Sequence, residues 1–336
     1  MITRRGLIAS TAAVAAVPLA ACDPGPAPTS SSQASAASGA SSAAPSDAPA
    51  NVAASASDGP GVGEAADATR AAALPAAPPS DWTLAKFRAA MAASGRTTSL
   101  TEGQFQAIQA RKPMAIHRIQ TYLTQRLGSA DPAVLAAFQA VPREYYHYLY
   151  SERRSQAIVA YEESPKPWPL GFGSVLSDYL GQAYMTQVAK PKPGDVTLEI
   201  GTGSGFQSSL LSRIVGKAYT IEIIEPIGRS VGKIFKPLGY DNIESRVGDG
   251  YFGWPEVDGG FDIIIVTCVA QYAPPELFKQ LKPGGRLLIP IGQPFKRGQV
   301  LYVYTKDANG KVHSRRDVGV YFIPMTGAMQ ATPAPT

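Results

Sequence analysis

The chain has 336 residues, enough for one large domain or two smaller ones, and carries 31 Lys+Arg against 26 Asp+Glu, a net charge of +5. No run of Lys/Arg could track a phosphate backbone, which argues against a nucleic-acid binder. Its two cysteines cannot build a disulfide framework. After the N-terminal segment no apolar stretch reaches the roughly 18 residues needed to span a bilayer.

The charge is unevenly spread. Residues 1–22 contain Arg4 and Arg5 and no acid, residues 23–80 hold five acids against Arg70 alone, and the rest is mildly basic. Thr3-Arg4-Arg5-Gly6-Leu7-Ile8 sets paired arginines before a short Ala-rich apolar segment that closes in small residues. That order reads as an export signal, too short for a stable membrane helix. The arginine pair resembles the twin-arginine type, which exports folded proteins. Leu19-Ala20-Ala21-Cys22 resembles a bacterial lipobox, in which Cys22 would become the N-terminus and carry lipid. Several acyl chains together anchor a protein stably. Asp23 resembles an inner-membrane retention signal, so the expected location is the periplasmic side of the inner membrane. The alternative is an ordinary cleaved signal in which Cys22 is incidental.

Residues 23–80 are rich in Ala, Ser, Pro and Gly, with nine prolines and no aromatic residue. Such a segment cannot bury enough apolar surface to offset its ordering entropy, and it is expected to be a disordered linker. Its flexible reach would be roughly 40 Å. The folded domain is expected over 81–327, followed by a disordered tail over 328–336.

Asp81 is placed to cap a helix carrying Trp82, Leu84, Phe87 and Met91 and ended by Gly95. A second helical pattern runs over 101–127 with an interruption expected at Pro113, and a third covers 131–139 with Pro132 in its first turn. Short apolar runs then alternate with helical ones. Strands are expected over 197–200, 218–223, 261–267 and 286–291, and helices over 207–214, 229–238 and 275–281. Two more strand-like runs, 300–305 and 319–323, are joined by the turn Asp307-Ala308-Asn309-Gly310. The pattern predicts an α/β fold: a doubly wound, mostly parallel sheet, Rossmann-like, with N-terminal helices and a C-terminal antiparallel hairpin.

Leu198-Glu199-Ile200-Gly201-Thr202-Gly203-Ser204-Gly205 turns a strand into a helix through a G-x-G-x-G loop. Glycines permit a tight turn and close backbone approach to a ligand, and the following helix aims N–H groups at it. The G-x-G-x-x-G spacing of a dinucleotide site fails from either starting glycine, which would fall on Phe206 or Ser208. Glu222, 21 residues after Gly201, stands where a carboxylate accepts hydrogen bonds from both ribose hydroxyls. Asp249, in Gly248-Asp249-Gly250, is placed to face an adenine amino group. An acid inside the motif, Glu199, favours a ligand with a cationic end. An adenosine bearing an amino acid and a sulfonium fits these demands: S-adenosyl-L-methionine.

Further segments stand in a recognisable order: Val134-Leu135-Ala136-Ala137-Phe138-Gln139-Ala140-Val141-Pro142-Arg143, Pro169-Leu170-Gly171-Phe172-Gly173, Gly253-Trp254-Pro255-Glu256, Lys282-Pro283-Gly284-Gly285 and Ile323-Pro324-Met325-Thr326-Gly327. With the glycine loop they make the stretch from about 134 to 327 resemble the protein-L-isoaspartate O-methyltransferase family, whose members have the class I methyltransferase fold. The resemblance implies methylation, from S-adenosyl-L-methionine, of the α-carboxylate of L-isoaspartyl residues in damaged proteins or peptides, a repair reaction. It places Ser177 at the family's active-site serine. Glu199, Gly201, Thr202, Gly203, Ser204, Gly205, Glu222, Asp249, Gly250 and Thr326 fall at the cofactor, Thr326 closing the pocket from the C-terminal side. No metal is implied. A carboxylate is already an anionic nucleophile at pH 7 and needs no general base, consistent with His117, His147 and His313 lying apart as surface or helix residues. Cys268 reads as a small buried residue rather than a nucleophile.

The run Ser174-Val175-Leu176-Ser177-Asp178-Tyr179 departs from the family's Gln-Thr-Ile-Ser-x-Pro-like stretch. Val175 and Ser174 remove a hydroxyl and an amide, Tyr179 introduces a bulky ring, and Asp178 would repel a carboxylate if it faced inward. Two alternatives follow: a methyltransferase with a retuned acceptor, or a non-catalytic exported binding protein that keeps the fold.

Overall fold

In the computed structural model, which describes residues 82–331, three helices lead into the sheet: α1 (Leu84–Ala93), α2 (Glu102–Leu127) and α3 (Pro132–Ala140). Thr83 caps α1 by accepting from the Lys86 N–H; Asp81, expected in that role, lies outside the described residues, as do the export signal with Cys22 and the linker. Thr101 and Gln104 form a reciprocal capping box on α2, and Gly128 ends it in the left-handed region. Pro113 does not interrupt this helix. The proline is exposed, so solvent can serve the carbonyl that its missing N–H leaves free. Asp131 caps α3, with Pro132 in its first turn.

The central sheet has seven strands: β1 (Val196–Ile200), β2 (Lys217–Glu222), β3 (Ile243–Val247), β4 (Phe261–Val266), β5 (Leu281–Ile291), β6 (Gln299–Lys306) and β7 (Val312–Val320). Their order is β7-β6-β5-β4-β1-β2-β3. The five strands from β5 to β3 run parallel, β6 pairs antiparallel with β5, and β7 pairs antiparallel with β6. β4 is apolar from Ile263 to Val266 because both its faces are covered there: Ile263 and Ile265 pack with Tyr184, Met185 and Leu211, while Ile264 and Val266 pack with Leu277 and Met325. The first set lies on α4 (Tyr179–Ala189) and α5 (Phe206–Ser212), and Leu277 on α7 (Pro275–Gln280). The chain is therefore doubly wound. It leaves β1 toward β2 and returns to β4 on the other side, so the order reverses between β1 and β4, where α/β folds bind ligands.

Several expected elements shift. The turn forms as read, Gly310 N–H donating to Asp307 O at 3.0 Å, but the returning strand starts at once, at Val312, and not at 319. Residues 312–316 are exposed on the sheet edge and, after Val312, polar, so they lack an apolar pattern. The helix expected over 229–238 is α6 (Glu225–Val231) followed by a separate 3-10 turn, Lys236–Leu238, with Pro237 at its centre. Residues 328–331, expected in the tail, form α8 (Ala328–Ala331), which buries Met329 against the core. Two unanticipated elements matter below: helix α4, and the hairpin of Trp168–Gly171 with Ser174–Leu176.

Candidate functional site

The glycine loop leaves β1 at the reversal point and is pinned from below. The N–H groups of Gly201 and Thr202 donate to Ile221 O on β2, and Thr267 Oγ1, just past β4, donates to Gly201 O at 2.7 Å. Gly201, Gly203 and Gly205 have φ of +94, +53 and +83°, a region in which a Cβ is strained. A Cβ on Gly201 would stand 2.7 Å from Thr267 Oγ1, and one on Gly205 would stand 2.9 Å from the Phe235 ring and from Val231. Gly250 is tied to packing in the same way, its backbone lying against Ile200.

Glu222 ends β2 and is 4% exposed. One carboxylate oxygen accepts the Gly203 N–H at 2.7 Å and the other the Ile224 N–H at 2.9 Å. Each oxygen keeps lone-pair capacity for a further donor. Burial holds this carboxyl above the usual range, against the pull of those backbone N–H groups. Asp249 follows β3 and accepts from the Tyr251 N–H at 2.9 Å and the Ala328 N–H at 2.7 Å. The second bond draws in the C-terminal segment. Val269 donates to Ile323 O, Met325 donates to Val269 O, and half-buried Thr326 sits between these and the Asp249 contact. Cys268 is buried among the acids: burial pushes its thiol up, and Glu222, Asp249 and Glu199 add to that in turn. Its thiol is held in the protonated form and is no nucleophile.

Glu199 does not line the ligand face. Leu198 and Ile200 pack with the core on the α7 side, so alternation turns Glu199 to the opposite face, toward α5. There its carboxyl, 1% exposed, is bonded by Ser208 and by Thr220 at 3.0 Å. Burial pushes it up to about 8, so it is mainly protonated at pH 7 and offers no charge to a cationic end. The Thr202 and Ser204 hydroxyls also point inward, to Thr220 Oγ1 and to the Phe206 N–H; these residues can meet a ligand through backbone.

The hairpin ending in Ser174–Leu176 lies over the loop. Leu170, Val175 and Ser174 stand 3.6–3.8 Å from where a Gly203 Cβ would be. Ser177 is half-buried, and its hydroxyl has no protein hydrogen bond among the described residues. Two of the departures have places in the fold. Asp178 is the N-cap of α4, accepting the Gly181 N–H at 2.8 Å, and the Tyr179 ring is buried, its hydroxyl donating to Glu162 O at 2.8 Å.

Sequence reading missed Arg143, a buried guanidinium that donates 2.7 Å bonds to Ser177 O and to Gln182 Oε1. Burial lowers it to about 10, while Glu162 and Asp178 oppose the shift. His147, expected on a surface or a helix, is instead fully buried edge-on to Trp168 with both ring nitrogens unpaired. Burial and then the charge of Arg143 hold it well below its ordinary value.

The family model for protein-L-isoaspartate(D-aspartate) O-methyltransferase matches residues 117–330. Among relatives, protein-L-isoaspartate O-methyltransferase 1 of Nitrosospira multiformis is 43% identical over 202 residues, 60% of this chain and 82% of that one. Protein-L-isoaspartate O-methyltransferase 2 of Syntrophobacter fumaroxidans is 37% identical over 237 residues, 70% and 92% of the two chains. A solved protein-L-isoaspartate O-methyltransferase superposes with a TM-score of 0.55 at 25% identity, covering 65% of this chain and 67% of that one. A Plasmodium falciparum structure assigned to the same activity, in complex with S-adenosyl-L-homocysteine, gives 0.51 at 21% identity over 62% and 97%, a likeness of fold.

Proposed function

The chain belongs to the protein-L-isoaspartate(D-aspartate) O-methyltransferase family, and on that premise we propose that it methylates the α-carboxylate of L-isoaspartyl residues on proteins outside the cytoplasm, using S-adenosyl-L-methionine. The resident residues fit that donor. Loop backbone and Glu222 would hold the ribose end, Asp249 with the segment around Thr326 would flank the base, and no cation stands among these contacts to repel a sulfonium. When bound, the donor supplies an electrophilic methyl group on sulfur.

What the chain itself contributes is placement. The acceptor carboxylate is ionised at neutral pH and attacks without a base. The Ser177 hydroxyl is free to hydrogen-bond it, and the hairpin that ends just before Ser177 lies over Gly203. Alignment of acceptor and donor by such a scaffold removes barrier through entropy already lost on binding and avoided solvent reorganisation, about 7 kcal/mol or more in well-oriented cases. The methyl ester then closes to a succinimide, whose hydrolysis partly restores aspartate. The observation that carries this reading is the Glu222 carboxylate spanning the Gly203 and Ile224 N–H groups, with Gly203 itself packed under the hairpin. Labelled donor, the full chain, and an isoaspartyl peptide beside its aspartyl twin test it: label should enter the first and not the second. Donor binding with no transfer to either would retire it in favour of an exported binding protein.

Export and anchoring extend the proposal. Arg4-Arg5 and Leu19-Ala20-Ala21-Cys22 support a twin-arginine signal and a lipid-bearing Cys22, and the Ala/Ser/Pro-rich stretch supports a tether. The domain would then sit on the periplasmic side of the inner membrane. Because the donor is made in the cytoplasm, such an enzyme needs a supply outside or leaves with one bound. A Cys22→Ala chain should move from the membrane to the soluble fraction of cells, and persistence in the membrane would rule out the lipid anchor.

A further inference from the structure

Arg143 is 2% exposed, and among the described residues no carboxylate pairs with it directly. Glu162 and Asp178 act on it only at longer range. Its fork reaches two acceptors: Nη1 donates to Gln182 Oε1 and Nη2 to Ser177 O, each at 2.7 Å. The plane stands 4.8 Å over the Phe206 ring and 5.7 Å from the Tyr179 ring. These neighbours belong to opposite halves of the site. Phe206 follows the glycine loop directly and opens α5, while Ser177 precedes the N-cap of α4. One side chain therefore touches the end of the donor loop and the backbone of the acceptor serine.

Stability alone is a poor reason for this arrangement. A buried charge loses hydration that an apolar residue of similar volume would not, and replacing buried ionic groups by hydrophobic ones is often neutral or favourable. What a guanidinium offers here is a planar fork that fixes two acceptors at set angles while its face packs on an aromatic ring. We propose that Arg143 is a positioning residue for methyl transfer: it holds Ser177 in register with the glycine loop, and so sets the gap between acceptor oxygen and donor. It touches neither ligand itself. The inference rests on the isoaspartyl methyltransferase reading above.

The test is a double-mutant cycle on the full chain. Gln182→Met removes one anchor of the fork at nearly constant volume, and Ser177→Ala removes the hydroxyl being positioned. Gln182→Met should lower kcat for an isoaspartyl peptide by about tenfold, since small misplacements of reacting groups cost up to ~100-fold, with the Kd for S-adenosylhomocysteine unchanged within about twofold. In the Ser177→Ala background the same substitution should cost less than about twofold more, because residues acting as a unit are non-additive. Arg143→Lys, which keeps the charge but cannot span both acceptors, should be at least as impaired as Gln182→Met; if it fails to fold, the cycle decides alone. Additive losses, or a Kd that rises in step with the fall in kcat, would overturn the positioning role while leaving the activity in place. A wild-type chain that transfers no methyl group would overturn the functional reading and the inference together.

Discussion

The Gly203 N–H meets the Glu222 carboxylate at 2.7 Å, so the middle glycine of the loop and the acid at the end of the next strand form one unit before any ligand arrives. Preorganisation of this kind reduces the entropy lost on binding. Glu222→Ala would remove the two hydrogen bonds proposed to the donor's ribose and free the loop. With hydrogen bonds to a charged group worth about 1.5–3 kcal/mol each, affinity for S-adenosylhomocysteine should fall by at least ~100-fold. Titration calorimetry measures it, and Glu222→Gln, which keeps one acceptor, should lie between. An alanine variant that binds as tightly as wild type would show that the carboxylate faces no ligand.

The three glycines should not be equivalent. At Gly205 a Cβ meets Phe235 and Val231 at 2.9 Å with φ at +83°, so alanine there adds overpacking to left-handed strain, about 2–4 kcal/mol of stability together. At Gly203 the nearest atoms are 3.6 Å away, and only the backbone term remains, about 1–2 kcal/mol. Gly203→Ala is therefore expected to fold and to lose cofactor affinity, while Gly205→Ala loses stability first. Denaturant midpoints beside calorimetric Kd values separate the two.

These local features were legible in the sequence because their partners are close along the chain or follow from strand–loop–helix geometry. The glycine loop and Glu222 are of this kind. Arg143 was not, since its bonds reach 34 and 39 residues ahead and no spacing rule encodes them. Glu199 was misplaced for a different reason: the motif fixes its position on the strand, but only the packed helix α5 determines which face becomes interior. The edge strand Val312–Val320 was read too late because an exposed edge imposes no apolar alternation.

Glu144 shows how the N-terminal helices, which begin before the matched family region, join the domain. Its buried carboxylate accepts from Trp82 Nε1, Gln109 Nε2 and Tyr161 OH at 2.7–2.8 Å. Glu144→Ala would strand three donors at once, costing about 3–5 kcal/mol. Trp82→Phe removes one half-buried donor and should cost about 1 kcal/mol. Urea denaturation of both variants tests the ranking; equal midpoints would mean that the helices dock by apolar contact alone.

Glu199 makes a prediction with a definite sign. Its carboxyl is pushed up to about 8 by burial, from an ordinary 4.5, so between those values the folded chain retains a proton that the unfolded chain has released. The folded state then binds more protons, and stability falls as pH rises. The contribution is intact below about 4.5, declines across the interval, and levels off above about 8. Glu222, also raised by burial, acts in the same direction, so the wild-type profile alone cannot isolate Glu199. Glu199→Gln can: the amide oxygen still accepts from Ser208 and Thr220 but cannot ionise. The difference in Tm between variant and wild type should grow in favour of the variant from pH 5 to pH 8. A difference that stays flat across that range would place the Glu199 titration at its ordinary value and deny that its carboxyl is sealed beneath the loop.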